Sequence, residues 1–199
     1  MKEFRKKFAK EYLRRTKDLI SIIEDDLAEK ISEIIPIFLE AREKKQTIFV
    51  MGNGGSAATA SHFVNDLSKL TISEGRLRFK VVGLTDNVPI LLAWANDTNY
   101  HNIFVEQIKN LIEPGDVVVG ISGSGNSMNV INAIEYANER GGVTIGLVGY
   151  DGGKLINCVQ HCIHIPISEM EKIEDMHLLI QHLLSTLIKK ETELMDLQG

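Results

Sequence analysis

Two short segments carry the residue types that bind phosphate groups. The first is Gly52-Asn53-Gly54-Gly55-Ser56, and the second is Ser122-Gly123-Ser124-Gly125-Asn126-Ser127. Glycines let backbone N–H groups turn towards a common point, and serine hydroxyls add further donors. Each segment precedes a predicted helix, whose N-terminus carries partial positive charge. The two segments predict an anion site that needs no lysine. The alternative for the first segment is a plain tight turn in which Ser56 caps the helix.

Four titratable residues on two predicted helices could transfer protons or hold a metal ion. His62 and Asp66 are four residues apart and therefore share one helix face. Glu174 and His182 lie within roughly 80° of each other on the last helix, about two turns apart. A histidine and a carboxylate in one crevice could act as general acid and base. The alternative is that the histidine of the last helix is only a hydrogen-bonded packing residue.

Two common nucleotide-binding motifs resemble the first segment to different degrees. The pattern G-x-x-x-x-G-K-[ST] of ATP-binding loops is absent. Gly52, Gly54 and Ala57 do match G-x-G-x-x-A, and Asp86 stands where a ribose-binding acid is expected. This dinucleotide interpretation leaves the serine-rich second segment unexplained, so we expect no nucleotide cofactor.

The elements that must position these residues alternate between strand and helix. The strands are short, nearly continuous apolar runs, which is typical of strands buried on both faces. We predict strands at Thr47–Met51, Phe79–Leu84, Val117–Ile121, Val143–Val148 and Cys162–Ile167. The intervening helices are predicted at Ser56–Leu70, Val88–Ala95, Ile103–Leu111, Ser127–Arg140 and Gly153–Cys158, with a last helix over Met170–Leu194. This alternation predicts an α/β fold with a parallel sheet, which binds ligands outside the carboxyl ends of its strands.

A helical region precedes the first strand. Apolar residues recur at helical spacing from about Phe4 to Lys45, and Pro36 is expected to break or kink this region into two helices. Its apolar face is longer than a surface helix needs. We therefore divide the chain into an N-terminal helical arm for oligomerisation, residues 1–45, and a single domain, residues 46–199.

Composition excludes several classes of function. The chain has 199 residues, which fits one domain, and its 22 basic and 27 acidic residues give a net charge of −5. An acidic chain is not expected to bind nucleic acid. No apolar run is long enough to span a membrane, and no membrane association is expected. The two cysteines are too few for a disulfide framework, which favours a cytoplasmic protein.

These segments together resemble the SIS (sugar isomerase) domain family, and within it the phosphoheptose isomerases. The similarity covers nearly the whole chain. The matching segments are Gly52-Asn53-Gly54-Gly55-Ser56-Ala57-Ala58, Ser61-His62-Phe63, Ala95-Asn96-Asp97, Pro114-Gly115-Asp116, Gly120-Ile121-Ser122-Gly123-Ser124-Gly125-Asn126-Ser127, Tyr150-Asp151-Gly152-Gly153-Lys154 and Lys172-Ile173-Glu174-Asp175-Met176-His177. The resemblance implies a three-layer, flavodoxin-like fold with a five-stranded parallel sheet, a homotetramer, and conversion of sedoheptulose 7-phosphate to D-glycero-D-manno-heptose 7-phosphate.

The resemblance also implies roles for individual residues. It makes Asp66 and His182 the catalytic pair, and in some family members the positions of His62, Asp66, Glu174 and His182 bind zinc. The implied substrate contacts are Asn53, Gly54, Gly55, Asn96, Asp97, Ser122, Gly123, Ser124 and Ser127, to which we add Ser56 and Glu174. We further expect the helix that bears His182 to come from a neighbouring subunit.

Three positions depart from the family pattern. The family has Glu where this chain has Asp66, usually Gln where it has Glu174, and usually Thr where it has Gly123. The first two changes shorten one carboxylate and add another, and a more anionic site favours a divalent metal. They leave two other functions open. One is a non-catalytic SIS adaptor that binds the bacterial replication initiator, and the other is an isomerase or binding protein for a different phosphosugar.

Overall fold

Five strands form one parallel sheet in the computed structural model, which describes residues 1–198. The strands are β1 (Thr47–Gly52), β2 (Lys80–Gly83), β3 (Val117–Ser122), β4 (Val143–Gly149) and β5 (His161–Ile165). Their order is β2-β1-β3-β4-β5, which is the flavodoxin-like order, so the predicted fold class is confirmed. The strand order reverses between β1 and β3, and the carboxyl ends of these two strands carry the glycine-rich segments.

Helices cover both faces of the sheet. They are α1 (Lys2–Glu43), α2 (Gly55–Lys69), α3 (Val88–Asp97), α4 (Val105–Lys109), α5 (Met128–Glu139) and α6 (Met170–Gln198), with single 3₁₀ turns at Tyr100–Asn102 and Leu155–Asn157. Strand β1 shows how the layers form. Ile48 and Val50 face a core shared with α1, α2 and α6, whereas Phe49 and Met51 face a core shared with α4 and α5. All four side chains are fully buried, which explains why the strands are apolar without alternation.

Helix α1 is continuous, and the predicted break at Pro36 is wrong. Proline removes one intrahelical hydrogen bond and crowds the preceding turn. Buried residues on both sides of it, including Ile35 and Phe38, hold the helix against the sheet, and this burial outweighs the local cost. The segment from Leu19 to Arg42 thus packs into the core of the domain, whereas most residues before Leu19 are exposed.

The start of α1 is held on α6 by a buried lysine. The Nζ atom of Lys172 donates hydrogen bonds to the backbone oxygen of Tyr12 at 3.1 Å and to Oγ1 of Thr16 at 2.9 Å. It also lies 3.5 Å from the centre of the Tyr12 ring, a cation–π contact. Phe4 and Phe8, further towards the N-terminus, are each 63% exposed.

Two other predicted helices are shorter than expected. The predicted helix Gly153–Cys158 is only the 3₁₀ turn Leu155–Asn157, and the predicted helix Ile103–Leu111 is reduced to α4. In the first case Gly152 and Gly153 have φ angles of +85° and +54°, which a right-handed helix excludes. None of the helices described over residues 1–198 combines the length and the hydropathy that crossing a bilayer requires.

His177 of α6 predicts sensitivity to acid. Burial lowers the pKa of His177 from 6.5 to about 4, and the nearby Val148 backbone offsets only part of this shift. Below pH 6.5 the His177 imidazole therefore binds a proton in the unfolded chain but stays neutral in the native protein. The free energy of unfolding consequently falls as the pH drops towards 4. We expect wild type to lose about 2–3 kcal/mol more than His177→Leu between pH 7 and pH 4.5 in urea unfolding. Equal losses in the two proteins would refute this prediction.

Candidate active site

The two glycine-rich segments meet at the carboxyl edge of the sheet. Strands β1 and β3 are neighbours, with Gly52 paired to Ile121, so the segments that follow them lie side by side. Together with the start of α6 they line a cleft of about 170 Å³. The lining residues are Asn53, Ser56, Ile121, Ser122, Gly123, Ser124, Ser127, Met170 and Glu174. Seven of these nine residues were predicted from the sequence to contact substrate.

The second segment presents its hydroxyls in a fixed arrangement. Ser122 is buried, and its Oγ donates to Oγ of Ser127 at 3.0 Å. Ser127 is the N-cap residue of α5, yet its side chain does not cap the helix. Oγ of Ser124 accepts a hydrogen bond from the backbone N–H of Asn126 at 3.2 Å. The hydroxyls of Ser122, Ser124 and Ser127 are thus held beside the N-terminus of α5, which favours an anion.

The first segment already has a carboxylate beside it. Gly54, with φ +54°, is the N-cap residue of α2, so Ser56 lies inside the helix and is not its cap. The carboxylate of Glu174 fills the space that a side chain at Gly55 would occupy. This position beside the N-terminus of α2 favours a negative charge. Any residue larger than glycine at position 55 would displace Glu174.

Helices α2 and α6 bring His62, Asp66 and His182 together. The Nε2 atoms of the two histidines are 3.3 Å apart. The Asp66 carboxylate oxygens lie 3.7 Å from Nε2 of His62 and 3.8 Å from Nε2 of His182. The Asp66 side chain is only 11% exposed, whereas the histidine side chains are 43% and 47% exposed. The group therefore has a buried carboxylate beneath two rings that reach solvent.

This group fits a metal ion with three protein ligands. One ligand atom from each residue lies within 4.8 Å of the other two. Tetrahedral zinc with bonds of about 2.0–2.1 Å to nitrogen and oxygen places its ligand atoms somewhat more than 3 Å apart, close to the distances here. Three ligands also leave a fourth position for a substrate oxygen, as in catalytic zinc sites. Glu174 is not part of this group within residues 1–198, and its role as a ligand stays a prediction.

His182 belongs to the same chain as its neighbours in the group. Helices α2 and α6 pack against each other within one subunit. The expectation that a neighbouring subunit supplies the helix bearing His182 is therefore wrong. The sequence alone did not indicate that a helix about 110 residues beyond α2 returns to pack on it.

Asn96 and Asp97 lie apart from the serine-lined cleft. They form the exposed end of α3, where Nδ2 of Asn96 donates to Oδ1 of Asp97 at 2.8 Å. Neither lines the cleft between the glycine-rich segments. Their contact with substrate stays a prediction.

Asn129 and Tyr100 are two residues near the cleft that the sequence analysis missed. The side chains of both residues donate hydrogen bonds to Oδ1 of Asn53. Asn129 offered a signal, because it is a polar residue directly before the apolar pair Val130 and Ile131 and just after the serine-rich segment. Tyr100 offered no such signal, because nothing in the sequence pattern indicates that its loop folds back onto the first segment.

Comparison with known proteins places this chain in one family. The family model described as the SIS domain matches residues 11–149. The chain therefore belongs to the SIS domain family. Within that family it is similar to phosphoheptose isomerases. It is 40% identical over 168 residues to the phosphoheptose isomerase of Geotalea daltonii, covering 84% of this chain and 87% of that protein.

Solved structures of two phosphoheptose isomerases agree with this assignment. The chain superimposes on the enzyme from Neisseria gonorrhoeae with a TM-score of 0.86 at 30% identity, covering 93% of this chain and 98% of that one. The enzyme from Francisella tularensis gives a TM-score of 0.87 at 25% identity, with 92% and 97% covered. The similarity thus extends over nearly the full length of both chains.

Proposed function

We propose that this protein is a ketose–aldose isomerase that converts sedoheptulose 7-phosphate to D-glycero-D-manno-heptose 7-phosphate. The observation that carries the proposal is the His62–Asp66–His182 group on the same two helices that border the serine-lined cleft. Relatives named phosphoheptose isomerase, at 36–40% identity over most of the chain, support the same activity.

The separation of the two sites suits an extended sugar phosphate. His62 follows Ser56 by six residues along α2, and His182 follows Glu174 by eight residues along α6. At 1.5 Å per residue these steps are about 9 Å and 12 Å. A sugar phosphate can bridge that distance, with its phosphate in the cleft and its carbonyl end at the histidines.

The phosphate anchor is assigned to the second segment. Ser122, Ser124 and Ser127 offer hydroxyls there, and the N-terminus of α5 offers backbone N–H groups. The first segment is less suited, because the carboxylate of Glu174 beside Gly55 repels a phosphate. Glu174 thereby directs the phosphate towards α5.

The reaction needs a base and an acid at adjacent carbons. A base removes the proton from C1 of the ketose while an acid protonates the oxygen on C2, giving an enediol. The same groups then return a proton to C2 and accept the one on the C1 oxygen, so no proton is gained or lost overall. Asp66 and His182 are the proposed pair, because their polar atoms are 3.8 Å apart and His182 reaches solvent.

A divalent metal, most suitably zinc, is proposed at His62, Asp66 and His182. When bound, it would supply a Lewis acid for the carbonyl and enediolate oxygens in place of a proton at Nε2 of His182, and the Asp66 oxygen that does not bind the metal would still act as a base. We expect metal-stripped wild type to bind one zinc ion per chain in a titration with zinc alone. His62→Ala should bind at least tenfold more weakly because it loses one of three ligands. His161→Ala, at the far end of β5, is the matched control. Equal affinity in all three proteins would refute the site.

A glycine substitution tests the phosphate anchor. Gly125 has φ +63°, and an added Cβ there would collide with the backbone oxygen of Gly152. Gly141 has φ +77°, but its Cβ would meet nothing nearer than Cβ of Pro114 at 3.6 Å. Both alanine variants incur the cost of a positive φ, about 1–2 kcal/mol, whereas only Gly125→Ala must also move the serine segment. We expect at least a tenfold rise in KM for Gly125→Ala and an unchanged KM for Gly141→Ala. The same KM in both would argue against this anchor.

We also propose a cytoplasmic homotetramer. The exposed Phe4 and Phe8 on the N-terminal arm support self-association, which light scattering on the purified protein would measure. The free cysteines Cys158 and Cys162 support a reducing compartment.

A coupled assay tests the proposed activity. We expect wild type to turn over sedoheptulose 7-phosphate and to leave unphosphorylated sedoheptulose unchanged at the same concentration. Turnover of a six-carbon ketose phosphate with a higher kcat/KM would instead favour another phosphosugar isomerase. No turnover of any of these sugars would contradict an enzymatic role and leave the adaptor function.

A further inference from the structure

We propose that Asn129 and Tyr100 are positioning residues, which orient the side-chain amide of Asn53 so that it donates a hydrogen bond to the substrate. The inference rests on the proposed function, because Asn53 lines the cleft assigned to the sugar phosphate. Asn129 is 1% exposed and does not reach the cleft itself. Its influence must therefore pass through Asn53.

The three side chains form a closed set of hydrogen bonds. Nδ2 of Asn53 donates to Oδ1 of Asn129 at 2.9 Å, and Nδ2 of Asn129 donates back to Oδ1 of Asn53 at 2.9 Å. The Tyr100 hydroxyl donates to the same Oδ1 of Asn53 at 2.8 Å. These bonds tie the first glycine-rich segment to the first turn of α5 and to the 3₁₀ turn at residues 100–102.

A backbone group fixes the direction of the paired amides. The N–H of Val130 is shared between the backbone oxygen of Ser127 and Oδ1 of Asn129, each at 3.0 Å, and a backbone N–H cannot act as an acceptor for an amide NH₂. The oxygen of Asn129 must therefore face Val130, and its Nδ2 must face Asn53. This in turn requires Asn53 to turn its oxygen towards Asn129 and Tyr100.

The arrangement determines what Asn53 can offer a ligand. Its Oδ1 already accepts two hydrogen bonds, which uses both lone pairs, and one of its two Nδ2 hydrogens is taken by Asn129. The remaining N–H is the only polar group of the amide still free. The side-chain amide of Asn53 can therefore donate a hydrogen bond to a hydroxyl or carbonyl oxygen of the sugar, but it cannot accept one.

Tyr100→Phe tests the proposal without threatening the fold, because Tyr100 is 55% exposed. Losing one hydrogen bond of ordinary strength to Oδ1 of Asn53 should lower kcat/KM about fivefold. Tyr136→Phe, two turns beyond Asn129 along α5, makes the same chemical change away from Asn53. It should keep the wild-type kcat/KM.

Asn129→Asp is the stronger test. The new carboxylate still accepts from Val130 and from Nδ2 of Asn53, but it cannot donate to Oδ1 of Asn53 and repels it. We expect kcat/KM to fall at least tenfold. Asn138→Asp is the matched control, since Asn138 lies at the other end of α5 and donates to the backbone oxygen of Cys158 at 2.7 Å. Its kcat/KM should stay within twofold of wild type.

A double-mutant cycle separates positioning from a structural role. In an Asn53→Ala background there is no amide left to orient, so Tyr100→Phe and Asn129→Asp should have no additional effect on kcat/KM. Full additivity of either change with Asn53→Ala would overturn the inference, as would wild-type kinetics in both single variants. The proposed function fails separately, if wild type itself does not turn over sedoheptulose 7-phosphate.

Discussion

Replacing His182 with alanine is expected to lower kcat by about 10²–10⁴-fold, the usual contribution of a general acid or base. Affinity for the sugar phosphate should change little. The serine-lined cleft lies about 12 Å away along α6, so the phosphate anchor stays intact. Because the His182 side chain is 47% exposed, its removal should not disturb the core. The coupled assay measures kcat, and isothermal titration calorimetry measures binding.

His161→Ala is the control for this variant. His161 begins β5, at the opposite edge of the sheet from the carboxyl ends that carry the site. It should retain wild-type kcat. Undiminished activity in His182→Ala would remove His182 from the mechanism. Loss of binding together with turnover would show that it holds the phosphate end of the substrate instead.

Asp66→Asn is expected to reduce kcat by at least 10²-fold. Asparagine keeps the shape of the side chain but cannot take up a proton or carry a negative charge. The change removes a candidate acid–base group and weakens the metal site at the same time. Since Asp66 is 8% exposed and its carboxylate lies between two histidines, little water is available to substitute for it.

Asp66→Glu separates the charge from the length of the side chain. It restores the carboxylate with one more methylene, and glutamate is the residue that the resemblance to the family implies at this position. We expect kcat within about tenfold of wild type. If Asp66→Asn and Asp66→Glu lost activity equally, geometry rather than proton transfer would be the decisive property. If Asp66→Asn kept full activity, Asp66 would have no catalytic role.

The sequence predicted the parts of the fold that depend on local pattern. Apolar runs such as Val117–Ile121 marked buried strands, and the glycine clusters after β1 and β3 marked the carboxyl edge where ligands bind. Their convergence on one cleft followed from a topological rule, because adjacent parallel strands end at the same edge. Helix periodicity also placed His62 and Asp66 on a shared face.

Other features depend on tertiary packing, which local pattern does not encode. Pro36 was expected to break α1, but burial against the sheet holds the helix together. His182 was expected from another subunit, because nothing in the sequence indicates that α6 returns to α2. The pairing of Asn53 with Asn129 joins residues 76 positions apart through side-chain amides, and amide pairs leave no periodic signature.

The position of Glu174 in the structure differs from the one expected from the sequence. From the sequence, Glu174 was expected to add a carboxylate to a site in which Asp66 is shorter, and so to favour a divalent metal. In the structure the carboxylate instead lies against Gly55 at the N-terminus of α2. Its charge there supports the proposal that the phosphate is anchored at α5, and the sequence alone did not suggest this role.

The central claim is that this chain moves a proton between C1 and C2 of a seven-carbon sugar phosphate. Incubation of wild type with sedoheptulose 7-phosphate in D₂O, followed by NMR of the products, tests it most directly. We predict an aldose heptose 7-phosphate that carries deuterium at C2. The proton held by the Asp66–His182 pair should exchange with the solvent that His182 reaches before it is returned to the sugar. Unchanged sedoheptulose 7-phosphate, with no deuterium at C1 and no aldose formed, would contradict the claim.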